Sequence, residues 1–350
     1  MSYLRLMKNS LKILGEIADS LYNPELHYQE LFNGCQTYKS LLLEITAIKL
    51  EEEQHRNDIY TDAGRAVGTE WAIRCVEDIM RTRAYSSAVY QAVKELNDTL
   101  DRPVRLIYAG TGPFATLVLP LITRFSPEEL QLDLLEINPE SAAHLKQVLK
   151  HFEAEAYVRE FAVTDATTYQ IAEPEGVDIL LSETMQAGLA QEHQVAICYN
   201  LLPQLPEHTV LIPEEITLKL YAVNQDKQHQ HKLSLNPEAE PNFYTDLGTL
   251  FTLDRPTVMQ QYKKINAQGA EAEFEAVDIE IPKDTHRKHQ QLSIATQIFL
   301  YKDIELKLEE SGLTALRILQ PLNPMMRTVK NVRSRYYTGE APGLDFELNV

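Results

Sequence analysis

Cysteine is sparse, with three residues in 350, at Cys35, Cys75 and Cys198. The set is odd, widely spaced and without a CxxC pair. That excludes a disulfide framework and a thiolate zinc site and fits a reducing compartment. No apolar run approaches the ~20 residues that span a bilayer, so no membrane association is expected. Near the start, Arg5, Lys8, Lys12 and Glu16 interrupt the apolar residues and leave no signal-peptide core; a cytoplasmic location is expected. Basic residues are outnumbered, 33 Lys and Arg against 51 Asp and Glu, for a net charge of −18. A chain this acidic lacks the basic stripe that displaces counterions from phosphates, so nucleic acid is excluded as a partner. The same charge attracts cationic partners at long range, and it also serves solubility. Glycine is scarce at 13 residues, which makes any cluster of glycines informative. What remains, 44% hydrophobic and 24% charged residues, is ordinary globular material. At roughly 150 residues per domain it makes about two domains.

Met7, Leu11, Leu14, Ile17 and Leu21 recur at steps of three and four, predicting one amphipathic helix over 3–21. Helix-like sequence continues to about Leu100, broken near Asn23-Pro24 and at Asn57-Asp58. Thr69 to Leu96 contains no Pro or Gly and reads as helical throughout, with Trp71, Ile73, Cys75, Val76, Ile79 and Met80 on one broad side. From Pro103 the texture changes. Short β-type runs at Val104–Ala109, Leu130–Ile137, Tyr157–Val163, Val177–Leu181 and Thr209–Ile212 alternate with helical stretches, including Pro139–Phe152 and one from Ala115. This predicts an α/β, Rossmann-like, doubly wound parallel sheet. After Pro213, strands at Ile216–Val223, Ala272–Ile281, Leu292–Leu306, Leu316–Pro321 and Val329–Tyr337 predict an antiparallel β domain. The expected division is an N-terminal helical extension (1–55), a Rossmann-like domain with a preceding lid and helix (56–212) and a β-rich domain (213–350).

The first strand of the sheet runs into Ala109-Gly110-Thr111-Gly112-Pro113-Phe114. Paired glycines at such a turn let a ligand approach the backbone, although a tight turn without a ligand reads the same way. The second strand ends in Leu135-Glu136-Ile137, where an acid can accept both hydroxyls of a ribose. There is no third glycine, so an adenosine ligand without a diphosphate fits better than a dinucleotide. The third strand ends in Val163-Thr164-Asp165; Asp165 either takes the exocyclic amine of adenine or caps a helix. The fourth strand ends in Ser182-Glu183-Thr184-Met185, and Glu192 follows nine residues after Glu183. A solvated surface charge would explain Glu192 alone. It explains Glu183 less well, because that residue directly follows the apolar run Ile179-Leu180-Leu181.

These pieces, with Asp78-Ile79-Met80-Arg81-Thr82 upstream, resemble the protein arginine methyltransferases, a branch of the S-adenosylmethionine-dependent methyltransferases. The resemblance covers roughly 55–225, and the β-rich half is similar to the family's barrel in texture only. It implies a methyltransferase with S-adenosyl-L-methionine as cofactor and S-adenosyl-L-homocysteine as product. In that reading Arg81 pairs with the cofactor carboxylate, Gly110 and Gly112 lie against its methionine portion, Glu136 holds its ribose and Asp165 its adenine. Glu183 and Glu192 are the catalytic pair, clamping a cationic guanidinium or amine of a small molecule or peptide. Tyr60 sits where the family has a mobile lid over the cofactor; a helix-joining loop is the plain alternative. No metal is implied. The family pairs through an arm of its barrel, which points to a homodimer, though no arm is legible in Gln225–Tyr262.

The sequence departs from the family where Tyr108 precedes Ala109, where Gln186 follows Met185, and at Gly312-Leu313-Thr314, where the family's Thr-His-Trp keeps only Thr314. His286 and His289 are the nearest replacements for that histidine as proton acceptor. Methyl transfer to an oxygen, sulfur or carbon acceptor, and a cofactor-binding scaffold without transfer activity, are the alternatives. His229 and His231 form a His-x-His in the polar run Gln225–Lys232, with no cysteine nearby, and read as a solvated loop. Arg333, Arg335, Tyr336 and Tyr337 read equally as an anion site and as an alternating strand.

Overall fold

The structure, a computed structural model, describes residues 3–50, 52–233, 241–268, 274–322 and 328–350. The opening periodicity forms α1 (Tyr3–Tyr22), which buries Leu14, Ile17, Ala18 and Leu21 and leaves Leu11 at the surface. It pairs with α2 (Tyr28–Thr46), whose Leu31, Cys35, Tyr38 and Leu42 face the same core. A small hairpin follows, β1 (Ile59–Thr61) and β2 (Gly64–Ala66).

The long helix expected over Thr69–Leu96 is two. α3 (Thr69–Arg74) passes through a 3-10 turn at Cys75–Glu77, and α4 (Ile79–Asn97) starts afresh. The cause is Asp78, whose carboxylate accepts the Arg81 N–H and so caps a new helix inside a stretch without Pro or Gly. Trp71, expected on the apolar side, is 54% exposed.

β3 (Val104–Ala109) leads to β4 (Leu130–Glu136), α5 (Pro139–His151), β5 (Val158–Val163), β6 (Ile179–Ser182), α6 (Gln194–Leu201) and β7 (Val210–Ile212). The strands form one parallel sheet in the order β5-β4-β3-β6-β7, the doubly wound arrangement. All six residues of β3 are buried, as befits a central strand covered on both faces. The helix expected from Ala115 is instead a series of turns and a 3-10 helix at Leu119–Thr123. Ala115 has a φ of 46°, outside the α region, and Pro120 supplies no N–H for a longer helix. At the amino end of the sheet, buried Arg105 on β3 pairs with buried Asp133 on β4.

The remainder comprises β8 (Glu215–Val223), α7 (Gln225–Lys232), β9 (Tyr244–Asp254), α8 (Arg255–Gln268), β10 (Val277–Glu280), α9 (Thr285–Lys288), β11 (Gln291–Tyr301), β12 (Ile304–Leu306), β13 (Arg317–Pro321), β14 (Asn331–Tyr337) and β15 (Gly343–Asn349). The single strand expected over Leu292–Leu306 is the hairpin β11–β12, turned at Lys302 with a φ of 52°. The strand expected over Ala272–Ile281 is β10; its first two positions lie outside the described residues. The described residues of the antiparallel β domain, expected to be barrel-like, form two open sheets, β12-β11-β8-β9 with β13 beside β11, and β10-β14-β15. No sheet closes on itself among the described residues. Phe251 on β9 stacks on Tyr336 of β14 with ring centroids 4.3 Å apart, so the sheets meet through aromatic faces rather than through a shared ladder.

Candidate active site

The carboxyl ends of β3, β4, β5 and β6 open into one cavity of about 740 Å³. Leaving β3, Gly110 has a φ of +82°, and a Cβ there would lie 2.2 Å from Thr184 Cγ2, so only glycine fits. Gly112, with a φ of +61°, donates its N–H to Glu136 Oε2 at 2.6 Å. Glu136 closes β4 and is 5% exposed. Its Oε2 also accepts from Thr111 Oγ1 (3.3 Å), and its Oε1 accepts the Asn138 N–H (2.8 Å). Burial lifts this carboxyl above the usual range, against the backbone N–H groups that favour its charge. Glu136 therefore braces the glycine turn as well as facing the cavity. Asp165 also has two roles. It lines the cavity, and its Oδ1 accepts the Thr167 N–H (2.8 Å) and hydroxyl (2.7 Å), closing a turn at 166–168 where the helix that it was expected to cap does not form.

Glu183 follows β6 with its side chain 3% exposed. Its Oε2 is ion-paired with the guanidinium of Arg81, while its Oε1 is buried without a hydrogen-bond partner. Glu192 lines the same cavity; burial raises its carboxyl, opposed by a hydrogen bond from Gln186 and by the positive charges of Arg81 and Arg65. Arg81 stands in the first turn of α4, set there by the Asp78 cap. The other oxygen of that cap, Oδ2, accepts from Ser311 Oγ (2.7 Å) and from the Gly312 N–H (2.8 Å). The β-rich half is thus fastened to the helix that presents Arg81, and its Gly312, Leu313 and Arg317 become cavity wall.

The hairpin β1–β2 closes another side with Asp58, Arg65, Ala66 and Val67. It is latched to the Glu192 loop by the Arg65 N–H on the Gln191 carbonyl (2.8 Å) and by Thr61 Oγ1 against His193 Nε2 (2.8 Å). Gly64 lets the two backbones approach, since a Cβ there would lie 2.9 Å from the Gln191 carbonyl oxygen.

Arg81, Gly110, Gly112, Glu136, Asp165, Glu183 and Glu192 are brought together around this cavity. Tyr60 is not among its lining residues; it lies on the hairpin, 72% exposed. His286 and His289, the expected replacements for the missing histidine, also lie outside the lining. His286 Nε2 meets the Val329 carbonyl (3.0 Å), and His289 meets Thr285 and Thr245. Thr314 is buried and donates to the Lys307 carbonyl, so it shapes its loop rather than facing the cavity. Tyr336, from the basic-aromatic cluster, is buried and donates to the Leu189 carbonyl (2.7 Å), as an alternating strand requires. Asp78, Trp71, Thr184, His193 and Arg317 also line the cavity, although none stands out as a site residue in the sequence. Two of these carried a signal: Asp78 has cap spacing to Arg81, and His193 directly follows Glu192.

No family model and no curated protein matches the chain. Among solved structures, the Trypanosoma brucei PRMT1 enzyme–prozyme heterotetrameric complex with AdoHcy is similar at a TM-score of 0.50 and 13% identity, over 79% of this chain and 92% of that one. The chain has the fold of the protein arginine methyltransferases. An open-conformation structure of Arabidopsis thaliana protein arginine methyltransferase 10 has 13% identity over 78% of this chain and 96% of its own, at a TM-score of 0.49.

Proposed function

We propose that this chain is an S-adenosylmethionine-dependent methyltransferase acting on a nitrogen of a guanidinium or amine, held between Glu183 and Glu192. The observation that supports it best is the Arg81–Glu183 pair. A nearly buried carboxylate in the cavity wall takes a guanidinium, and its Oε1, buried and unpartnered, has acceptor capacity left for another. The cavity volume lies within the usual range for small-molecule sites.

The donor set fits the cofactor. The Gly110–Gly112 turn lies at the carboxyl edge of the central strand, Glu136 and Asp165 end the next two strands outward, and Arg81 faces them. When bound, the sulfonium supplies an already activated methyl group. The chain's own work is to bind and align. Arg81 has five N–H donors in a planar fork, so Glu183 on one edge leaves another for a ligand carboxylate. Glu183 and Glu192 would accept from separate N–H groups of a planar cation, fixing its plane and drawing positive charge away from the attacking nitrogen. Burial of Glu183 and partial burial of Glu192 strengthen these contacts relative to water. Alignment of this kind supplies on the order of 7–11 kcal/mol at best.

The net charge of −18 favours a cationic acceptor, small molecule or peptide. A homodimer and a cytoplasmic location complete the reading. The test is calorimetry with S-adenosylhomocysteine, followed by radiolabelled methyl transfer to arginine, guanidino compounds and basic peptides. Cofactor binding with transfer to a guanidino or amino acceptor is expected. Binding without transfer to any acceptor would make the chain a scaffold, and no binding would overturn the reading.

A further inference from the structure

Behind the wall that carries Glu136, a second cluster of side chains lies outside the cavity lining. His55, in the 3-10 turn Glu53–Arg56 ahead of the hairpin, is 4% exposed. Its Nδ1 lies 2.6 Å from Glu140 Oε1. Glu140 and His144 stand four residues apart on α5 and so share one face of that helix. His144 brings a buried Nδ1 that finds no hydrogen-bond partner. One donor atom from each of His55, Glu140 and His144 lies within 4.8 Å of the others. The rings of His55 and His144 meet edge to face, with centroids 6.2 Å apart.

We propose that His55, Glu140 and His144 bind a divalent transition metal of the zinc class. Two imidazoles and a carboxylate are the donor set such ions take, while calcium and magnesium prefer oxygen alone. In tetrahedral coordination at ~2.0–2.2 Å, neighbouring donors stand about 3.3–3.6 Å apart. The His55–Glu140 contact, 2.6 Å, then opens by about 1 Å at most. Glu140 is already oriented for this. Its Oε2 accepts from Thr69 Oγ1 (3.0 Å), and the buried Thr69 hydroxyl also meets Ser141 Oγ (3.1 Å). Such outer contacts fix the direction of a ligating carboxylate. With three protein ligands, the fourth position goes to water. The ion would tie the segment leading into the β1–β2 hairpin to α5, one turn from the strand end that carries Glu136. It is a fastening site for the cavity wall, and it stands whether or not the chain transfers methyl groups.

The test uses full-length protein dialysed against a chelator and titrated with Zn2+ or Co2+ alone. One ion per chain should bind, with cobalt d–d absorption typical of a four- or five-coordinate nitrogen–oxygen site, and Zn2+ should raise the Tm. His144→Ala should keep the native circular dichroism, weaken binding at least tenfold and abolish the Tm rise. Glu140→Gln should weaken binding similarly, while His229→Ala, on the exposed face of α7, should leave it unchanged. If wild type binds no ion below about 100 µM, or if His144→Ala and Glu140→Gln both bind as wild type does, the proposal is overturned.

Discussion

Two carboxylates, half-buried Glu192 and buried Glu136, carry most of the electrostatic tension at the site. Glu192 is raised by burial, so the folded chain holds its proton more tightly than the unfolded chain does. Between the ordinary glutamate value and this raised one, the native state binds more protons, and stability falls as pH rises through that window. Glu192→Gln removes this contribution. The stability difference, variant minus wild type, should therefore grow with pH across the window and level off above it, in urea unfolding from pH 4 to pH 8. A difference that is flat in pH would contradict the assignment. His193, whose charged form burial disfavours, titrates in both proteins. Glu136 is raised in the same direction, but three donors hold it. Replacing it would therefore disturb the glycine turn as well as any ribose contact, and this makes it a poor probe of cofactor binding.

At the scale of elements, two joints set the site. Asp78 caps α4 and receives the β-rich half through Ser311 and Gly312. Asp78→Ala should cost about 1–3 kcal/mol, a lost cap plus two hydrogen bonds. It should also weaken S-adenosylhomocysteine binding by loosening Arg81, with Asp78→Asn milder in both; unfolding curves and calorimetry read the two effects. At the second joint, Gly110→Ala drives a Cβ into Thr184 Cγ2 at a positive φ, for about 2–4 kcal/mol. Thr184→Ser removes that methyl and keeps the hydroxyl, so the double variant should regain part of the lost Tm. Full additivity of the two losses would contradict the contact.

These joints also show what the sequence made legible. Strands of the parallel sheet were readable to within a residue or two, because each is an apolar run ending at a turn or a charged residue; Gly110, Glu136, Asp165 and Glu183 lie at or just past those ends, whereas Arg81 was reached only through the family resemblance. The break at Asp78 was hidden, since its only signal is a cap inside a stretch with neither Pro nor Gly. The stretch after Ala115 has helical composition, but its backbone leaves the α region there. The open β sheets, and the meeting of His55 with α5 across 85 residues, are products of tertiary packing that no local pattern encodes.

Across the whole molecule, the N-terminal helices brace rather than cover. Among the described residues none before Asp58 lines the cavity, yet Tyr38 donates to the carbonyl of Thr116, a lining residue (3.0 Å). The acidic surface acts at longer range. A cationic acceptor should lose affinity as salt rises from 50 to 500 mM, while binding of zwitterionic S-adenosylhomocysteine stays nearly constant. Steady-state KM and calorimetry across that range give both numbers, and equal salt dependence would argue against electrostatic capture.

The most direct measurement compares Glu183→Gln with wild type in two readouts on the same preparation, S-adenosylhomocysteine affinity and radiolabelled methyl transfer to a guanidino acceptor. The substitution keeps the shape and removes the charge that pairs with a guanidinium. Cofactor affinity should stay within a few-fold while transfer falls by about 10²-fold or more, the scale of losing one preorganised charge contact at a reacting centre. Transfer retained at the wild-type rate would contradict the clamp.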